Sequence, residues 1–322
     1  MKIVVLNPSA RFQSNGQEKY DYLAETVIEG LYKLEIDVIT SFISNGSKRA
    51  YSDQEIISHS KTADHIFLIW GKRRGGRGEP RYDLLSKINR PESTIYIDGS
   101  EWTATGYPES KSQCRDALSD PGKRRGSPWI NHEMLDYCSH YFKRECYQED
   151  IDAGILPLPF GAVDRYFYNN DKRGEIDVFC SFGQISDGLR SETFNFCKSL
   201  KNEGYKVVTD SNLNYEEYKR LLSSSLVGID AWGGGDCCSR IWEIFANKVC
   251  CLSQKYNIVI PHQFTDGENF YEYKNMNEFE DKIRFLLNNK EAAVEVGEQG
   301  YRHMMKYHTS ESRARYIIEK IQ

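Results

Sequence analysis

Short apolar segments with the length of β-strands alternate with amphipathic helix patterns along most of the chain. The alternation begins at residues 2–6, pauses at residues 155–161 and resumes at residue 176. Because neighbouring parallel strands need a crossover connection, usually a helix, this order predicts an α/β fold with doubly wound parallel sheets. The two prolines and the glycine of Pro157-Leu-Pro-Phe-Gly161 are incompatible with a helix and indicate a linker between two Rossmann-like domains.

The pattern predicts domain boundaries and elements on both sides of this linker. We expect an N-terminal Rossmann-like domain at residues 1–160, a C-terminal one at 161–305 and a closing helix at 306–322. The predicted strands are residues 2–6, 36–39, 65–70, 94–98, 176–181, 205–208 and 226–230, and a further strand ends at about residue 252. Residues 141–145 are expected to form a short strand or a turn. The predicted helices are residues 18–34, 53–60, 81–88, 133–138, 189–200, 215–223, 276–287, 292–307 and 310–321, with another one starting near residue 240.

Length and composition narrow the class of protein. The 322 residues are enough for two domains that each bury a core. No apolar run approaches the ~20 residues of a membrane span, so no transmembrane segment and a cytoplasmic location are expected. Nine cysteines without a CxxC pair and seven scattered histidines predict reduced thiols and no metal site. The net charge of −5 argues against a protein that coats nucleic acid without specificity.

A glycine-rich loop follows the apolar run that ends at Asp230. Gly233, Gly234 and Gly235 allow a tight turn, and Ser239 is expected to cap the helix that begins near Arg240. Backbone amides and the positive end of the helix dipole attract phosphate at such a place. The guanidinium group of Arg240 adds a charged, forked donor.

Glu243 is the unusual residue of this helix, because apolar side chains cover nearly every other face. A carboxylate there is costly unless it is paired or meets a ligand, and sugar hydroxyl groups are suitable donors to it. The competing interpretation is an ion pair between Glu243 and Arg240, three residues apart, inside an ordinary βαβ connection.

The strand ends of the first half carry a second set of candidates. In open parallel sheets ligands bind beyond the carboxyl ends of the strands, which draws attention to Asp98 and Glu101. A basic cluster, which we call the basic loop, also follows a strand and contains Arg73, Arg74 and Arg77. Such clusters are usually solvated surface, but flanking glycines favour an anionic acceptor here.

Several segments are similar to the CgeB-like, or group 1, glycosyltransferases, which have the GT-B fold. The similarity covers a strand and loop, a helix with an Arg-x-x-Glu-x-x-Ala pattern, a loop after the last core strand and the closing helices. Two segments of the first half are also similar. In chain order the segments are residues 142–145, 157–161, 177–183 with Arg190, 239–246, 264–269 and 303–313.

The resemblance implies two Rossmann-like domains that face a central cleft, with the C-terminal helix packing back on the first domain. It implies transfer of a sugar from a nucleoside diphosphate, most simply a UDP-sugar, without a metal ion or another cofactor. Arg190 and Arg240 would neutralise the diphosphate, Glu243 would hold the ribose, and Gly183, Ser239 and the three glycines would complete the donor site. A general base for the acceptor hydroxyl would be Asp98 or Glu101, with His132 as the second choice.

One departure from the family pattern keeps other functions open. Many retaining GT-B enzymes place a glutamate eight positions before the helical one, and here Gly235 stands there, next to Asp236. The stereochemistry therefore stays open, and so do a sugar-nucleotide epimerase and a non-catalytic protein that binds nucleotide sugars. The acceptor is equally open among a glycan, a protein and a hydroxylated base in phage DNA.

Overall fold

A computed structural model divides the chain into two compact units. Unit 1 contains Met1–Gly161, Ile258–Pro261 and Thr309–Gln322, and unit 2 contains Ala162–Asn257 and His262–His308. The structure describes residues 1–6, 11–12, 18–19, 22–41, 49–70, 81–99, 130–168, 173–183, 188–233 and 235–322.

Unit 1 is built on a six-stranded parallel sheet with the order β4-β1-β5-β6-β7-β8. The apolar side chains of its central strands are buried because helices cover both faces of such sheets. A separate antiparallel pair, β2 and β3, precedes the first helix. The strands are Lys2–Leu6 (β1), Arg11–Phe12 (β2), Glu18–Lys19 (β3), Asp37–Thr40 (β4), His65–Trp70 (β5), Thr94–Asp98 (β6), His140–Lys143 (β7) and Leu156–Pro157 (β8).

Some helices of unit 1 begin at side-chain caps. Ser52 and Glu55 form a reciprocal capping box, and the Asn131 side chain accepts the backbone N–H of Met134. The helices are Tyr22–Lys33 (α1), Asp53–Ser60 (α2), Tyr82–Ile88 (α3), His132–Tyr137 (α4), Gln148–Asp152 (α5) and, from the end of the chain, Ser310–Ile321 (α11).

The C-terminal helix α11 packs against α1 within unit 1, as the fold class predicted. The helices approach closely at Gly30, where a Cβ atom would overlap the backbone carbonyl group of Ser310. The Ser310 hydroxyl donates to the Glu29 carboxylate at 2.7 Å, and Lys33 lies 3.0 Å from the same carboxylate oxygen. A glycine on α1 is therefore required for the helices to pack this closely.

Unit 2 is built on a five-stranded parallel sheet with the order β10-β9-β11-β12-β13. The strands are Ile176–Phe179 (β9), Val207–Val208 (β10), Ser225–Asp230 (β11), Cys250–Gln254 (β12) and Tyr271–Tyr273 (β13). The helices are Leu189–Ser199 (α6), Tyr215–Ser223 (α7), Arg240–Ala246 (α8), Met276–Asn288 (α9) and Lys290–Tyr307 (α10).

Helix α8 is buried on all sides, as its apolar pattern predicts. Residues 241–246 are all buried, and a Cβ atom at Gly228 of β11 would lie 2.9 Å from the Ile244 side chain. Gly228 therefore lets the helix approach the sheet closely. This packing fixes the direction in which Arg240 and Glu243 leave the helix.

Three local predictions need correction. The linker at residues 155–161 contributes β8 to unit 1, and Pro157 is tolerated because β8 is an edge strand. Residues 18–19 belong to β3, so α1 starts at Tyr22 rather than at residue 18. The edge strand β13 has no counterpart among the predicted strands.

Candidate functional site

The candidate site of unit 2 lies where the order of its strands reverses. From β9 the chain passes through α6 to β10 on one side, and then through α7 to β11 on the other side of β9. The strand order therefore reverses between β9 and β11, which end at Phe179 and Asp230. Ligands of open α/β sheets bind at such a point.

Arg190, in the first turn of α6, joins the loops that follow these two strands. Its guanidinium carbon lies 4.3 Å from the centre of the Phe182 ring, which follows β9. Its Nη1 donates to the backbone oxygens of Ala231, at 3.0 Å, and Trp232, at 2.8 Å, which follow β11. Burial and then the charge of Arg240 lower the pKa of Arg190 below its ordinary value. The site therefore holds a buried cation at some electrostatic cost.

Arg240, the first residue of α8, places a second guanidinium group near the same ring, with its carbon 4.6 Å from the Phe182 centre. Its Nη1 lies 3.6 Å from Oδ1 of Asp230, too far for a hydrogen bond. Its buried Nε and Nη1 have no hydrogen-bond partner among the described residues. Arg240 therefore has donors to offer to a ligand.

Asp230 is the carboxylate that faces Arg240, and it is fully buried at the end of β11. Its Oδ2 accepts the hydroxyl groups of Tyr256, at 2.6 Å, and Ser253, at 3.1 Å. Burial raises the pKa of Asp230, while Arg240 and these hydroxyl groups act in the opposite direction. The local balance of two guanidinium groups against one buried carboxylate favours an anion.

The structure describes two of the three glycines of the glycine loop, and these two are in contact. Gly233 N–H donates to the Gly235 carbonyl oxygen at 3.0 Å. A Cβ atom at Gly233 would lie 3.1 Å from Cys238 Sγ and 3.6 Å from Nη1 of Arg190. A Cβ atom there would therefore crowd the Cys238 thiol and would be in ordinary van der Waals contact with the Arg190 guanidinium group. Gly234 lies outside the described residues, and phosphate binding by the loop stays a prediction.

Ser239 does not cap α8, which corrects the sequence analysis. Its backbone is already helical, with φ −61° and ψ −25°, and its side chain makes no capping hydrogen bond. An N-cap residue needs an extended backbone for its side chain to reach back to the amides. Gly183 is exposed in the loop after β9, and binding roles for Gly183 and Ser239 stay predictions.

Glu243 is bound by tyrosines rather than by Arg240. Its Oε2 accepts the Tyr218 hydroxyl at 3.0 Å, and its Oε1 lies 3.4 Å from the Tyr215 hydroxyl. The described residues contain no ion pair between Glu243 and Arg240, so that alternative is wrong. Burial raises the pKa of Glu243, and Arg165 and then Tyr218 oppose this rise.

Asp98 of unit 1 has the surroundings of a structural ion pair. It is fully buried, and its Oδ2 accepts the Tyr141 hydroxyl at 2.6 Å and Lys143 Nζ at 2.9 Å. Lys143 is also fully buried. A general base must reach the proton that it removes, so this burial argues against the predicted base role.

The other candidates of the first half stay predictions. His132 is half-buried in the first turn of α4, directly after the capping residue Asn131. Glu101, Arg73, Arg74 and Arg77 lie outside the described residues.

Asp236 follows Gly235, the position at which many retaining GT-B enzymes have a glutamate, and it is also buried. Asp236 has no exposed surface, and its Oδ2 accepts the backbone N–H of Asn257 at 2.8 Å. In this arrangement Asp236 does not present an acid to a bound sugar. The stereochemistry of transfer therefore stays open.

Sequence reasoning missed five side chains that shape the site, namely Phe182, Asp230, Tyr256, Tyr215 and Tyr218. Asp230 had a signal, because a carboxylate that ends an apolar strand stands at the ligand-binding edge of the sheet. The pair of tyrosines three residues apart lies on one face of α7, but their spacing does not reveal which neighbour they meet.

Within the described ranges, no helix is long and apolar enough to span a membrane. No cluster of three or more His, Cys, Asp or Glu side chains there could hold a metal ion.

Comparison with solved structures identifies the fold. HepE from Anabaena bound to UDP has a TM-score of 0.59 at 10% identity, covering 100% of this chain and 99% of its own. An alpha-glucosyltransferase, AGT, bound to UDP has a TM-score of 0.63 at 9% identity with the same coverage. The alpha-glucosyltransferase bound to UDP-glucose and DNA with an abasic site has a TM-score of 0.59 at 9% identity, again over 100% and 99% of the two chains. The chain therefore has the GT-B fold of these glycosyltransferases.

Sequence comparison gives a match to a family model over the second half of the chain. Residues 175–319 match the model of the glycosyl transferase-like family. The matched part of the chain contains the candidate site of unit 2, and its similarity to that family indicates a glycosyltransferase. No curated protein matches the sequence. The finer CgeB-like assignment stays a prediction.

Proposed function

We propose that unit 2 binds a nucleoside-diphosphate sugar, most simply a UDP-sugar, and that the protein transfers the sugar to a hydroxyl acceptor. The observation that carries this proposal is the pair of guanidinium groups where the strand order reverses. The guanidinium carbons of Arg190 and Arg240 lie 4.3 and 4.6 Å from the centre of the Phe182 ring. The family match makes the reaction class a sugar transfer, and the charge of the site makes its ligand an anion.

The diphosphate is the part of the donor that suits these two arginines. During transfer, the bond between the anomeric carbon and the phosphate oxygen breaks, and negative charge builds on the leaving nucleoside diphosphate. Fixed guanidinium groups in a buried site stabilise that charge without reorganisation. The open Nε and Nη1 donors of Arg240 supply hydrogen bonds for phosphate oxygens. We therefore expect transfer to persist when a chelator removes divalent metals.

The ribose is assigned to Glu243, whose buried carboxylate retains acceptor capacity beyond its two tyrosine donors. UDP is the first nucleotide to test, because the solved relatives HepE and AGT bind it. At these identities the relatives support the fold alone, so the choice of base rests on our proposal.

The acceptor oxygen forms the new bond to the anomeric carbon and loses its proton to a base. Glu101 and His132 remain candidates for that base. We propose the basic loop with Arg73, Arg74 and Arg77 as an acceptor contact. A nucleic acid acceptor is compatible with the fold, because a solved relative binds DNA; a glycan or a protein would need fewer cations.

The experiment is calorimetric titration with UDP and UDP-glucose of the parent protein and its Arg190→Lys and Arg240→Lys variants. Lysine keeps the charge but loses the forked donor, so we expect UDP to bind about 10- to 100-fold more weakly. Arg284→Lys is the matched control, because Arg284 pairs with Glu203 on the exposed surface of the same unit. Site variants that bind UDP like the parent would contradict the diphosphate role.

Turnover separates the three functions left open by the sequence. A transferase releases UDP from UDP-glucose in an amount that depends on the hydroxyl acceptor supplied. An epimerase converts the sugar nucleotide without an acceptor, and a binding protein leaves it unchanged. Conversion without an acceptor, or tight binding without turnover across a panel of donors and acceptors, would refute transfer.

A further inference from the structure

Two tyrosine hydroxyl groups hold the Glu243 carboxylate. Tyr218 and Tyr215 project from α7, 25 and 28 residues before Glu243 in the chain, and their hydroxyl groups meet its two oxygens separately. The Tyr218 contact, at 3.0 Å, is the shorter one. The Tyr215 hydroxyl lies 3.4 Å from Oε1 and 3.5 Å from the Arg165 carbonyl oxygen, so its single hydrogen serves two acceptors.

The Tyr218 ring is itself fixed by aromatic contacts. It meets Phe179, the last residue of β9, edge to face with ring centres 5.0 Å apart. It stacks on Tyr215 with ring centres 6.2 Å apart and planes 12° from parallel. Because the ring packs against the sheet, the direction of its hydroxyl group is set by the fold rather than by solvent.

Contacts other than these hydroxyl groups hold α8 in place. Residues 241–246 are all buried in the core of unit 2. Directly after α8, Asn247 Nδ2 donates to the backbone oxygens of Glu243, at 2.7 Å, and Tyr166, at 2.9 Å. The tyrosine hydroxyl groups therefore contribute to the orientation of one carboxylate more than to the packing of its helix.

We propose that Tyr218, with weaker assistance from Tyr215, is a positioning residue that orients the Glu243 carboxylate to accept the ribose hydroxyl groups of the donor. This inference rests on the ribose role proposed for Glu243. A carboxylate has about four acceptor sites, so two tyrosine donors leave sites for the two hydroxyl groups of a ribose. Fixing the carboxylate beforehand lowers the entropy lost on binding.

The test compares UDP with 2′,3′-dideoxy-UDP, which lacks both ribose hydroxyl groups, by calorimetric titration. Tyr218→Phe removes one hydroxyl group and keeps the ring. We expect it to weaken UDP binding about three- to tenfold and to leave dideoxy-UDP binding unchanged. Tyr215→Phe is the matched control and should have a smaller effect. Glu243→Gln should weaken UDP binding about 10- to 100-fold, because it removes the charged acceptor.

A double variant tests whether Tyr218 acts through Glu243. Adding Tyr218→Phe to Glu243→Gln should weaken UDP binding no further, because residues that act as a unit are not additive. The Tyr218 hydrogen bond also lowers the pKa of Glu243. Tyr218→Phe should therefore move the acid limb of UDP binding to higher pH, a change that altered packing alone would not produce.

The outcomes separate the inference from the function on which it rests. If Tyr218→Phe weakens both nucleotides equally, or has no effect while Glu243→Gln weakens UDP, the positioning role is wrong and the ribose role stands. If the parent binds both nucleotides equally, the ribose role is wrong and this inference falls with it. If the double variant loses as much binding free energy as the two single variants together, Tyr218 contacts the ligand directly, and the inference is also wrong.

Discussion

The buried pair of Asp98 and Lys143 predicts a large loss of stability when one charge is removed alone. Both side chains are fully buried, with Lys143 Nζ 2.9 Å from Asp98 Oδ2. Asp98→Asn keeps the size of the side chain but removes the negative charge that faces the ammonium group. Breaking one side of a buried pair costs about 3–5 kcal/mol. At about 2–4 °C per kcal/mol for a unit of this size, the melting temperature should fall by about 6–20 °C.

The assay is thermal unfolding of the parent, Asp98→Asn, Lys143→Met and the double variant. The double variant should unfold closer to the parent than either single variant, because it removes both buried charges and keeps an apolar side chain. Below the melting temperature of Asp98→Asn, transfer should fall less than about tenfold, whereas losing a general base costs about 10²–10⁴-fold. A parent-like melting temperature with a loss in that larger range would refute the structural role and restore Asp98 as the base.

Two further predictions concern a histidine of unit 2 and the basic loop. Burial lowers the pKa of His303, whose Nε2 donates to the His262 carbonyl oxygen at 2.7 Å. The unfolded chain therefore takes up the proton first as the pH falls, so the free energy of unfolding should decrease below about pH 6.5. In denaturant titrations between pH 7 and 5, His303→Gln should make the free energy of unfolding depend less on pH. An unchanged pH dependence would mean that His303 is not its source. Arg73→Ala with Arg74→Ala should weaken binding of a polyanionic acceptor, reduce its salt dependence and leave UDP binding unchanged. Equal salt slopes for parent and variant would mean that these arginines are only solvated surface.

The sequence predicts an element well where its apolar pattern is long enough to bury a face by itself. Asp53–Ser60, His65–Trp70, Thr94–Asp98 and Tyr215–Ser223 have the predicted bounds. Four strands were missed, and each has only two or three residues: Arg11–Phe12 and Glu18–Lys19, which pair with each other, and Leu156–Pro157 and Tyr271–Tyr273, which lie at the edges of the parallel sheets. At an edge, pairing with a neighbour that is distant in sequence decides whether a short segment becomes a strand.

The same limit applies to the site. Arg190, Arg240 and Glu243 could be selected from the loop and helix that carry them, because those elements are local. The side chains that contact them could not be selected in this way, since each of these partners comes from a different element. Asp98 shows the consequence, because its place at a strand end suggested a base, while the register of β6 against β7 sets it directly opposite Lys143. That pairing is a property of the sheet rather than of either strand.

If the arginine pair of unit 2 binds a diphosphate as proposed, the ligand should stabilise the fold. Two guanidinium groups over one phenyl ring repel each other, and Asp230 compensates only in part because it lies 3.6 Å from Arg240 Nη1 and its Oδ2 is taken by hydroxyl groups. A diphosphate would supply the missing anion and satisfy the open donors of Arg240. Such a ligand adds about 2.7 kcal/mol of stability at a concentration 100 times its Kd. The network of Asp230, Tyr256 and Ser253 fits this account, because it keeps Asp230 oriented while leaving the arginine donors open.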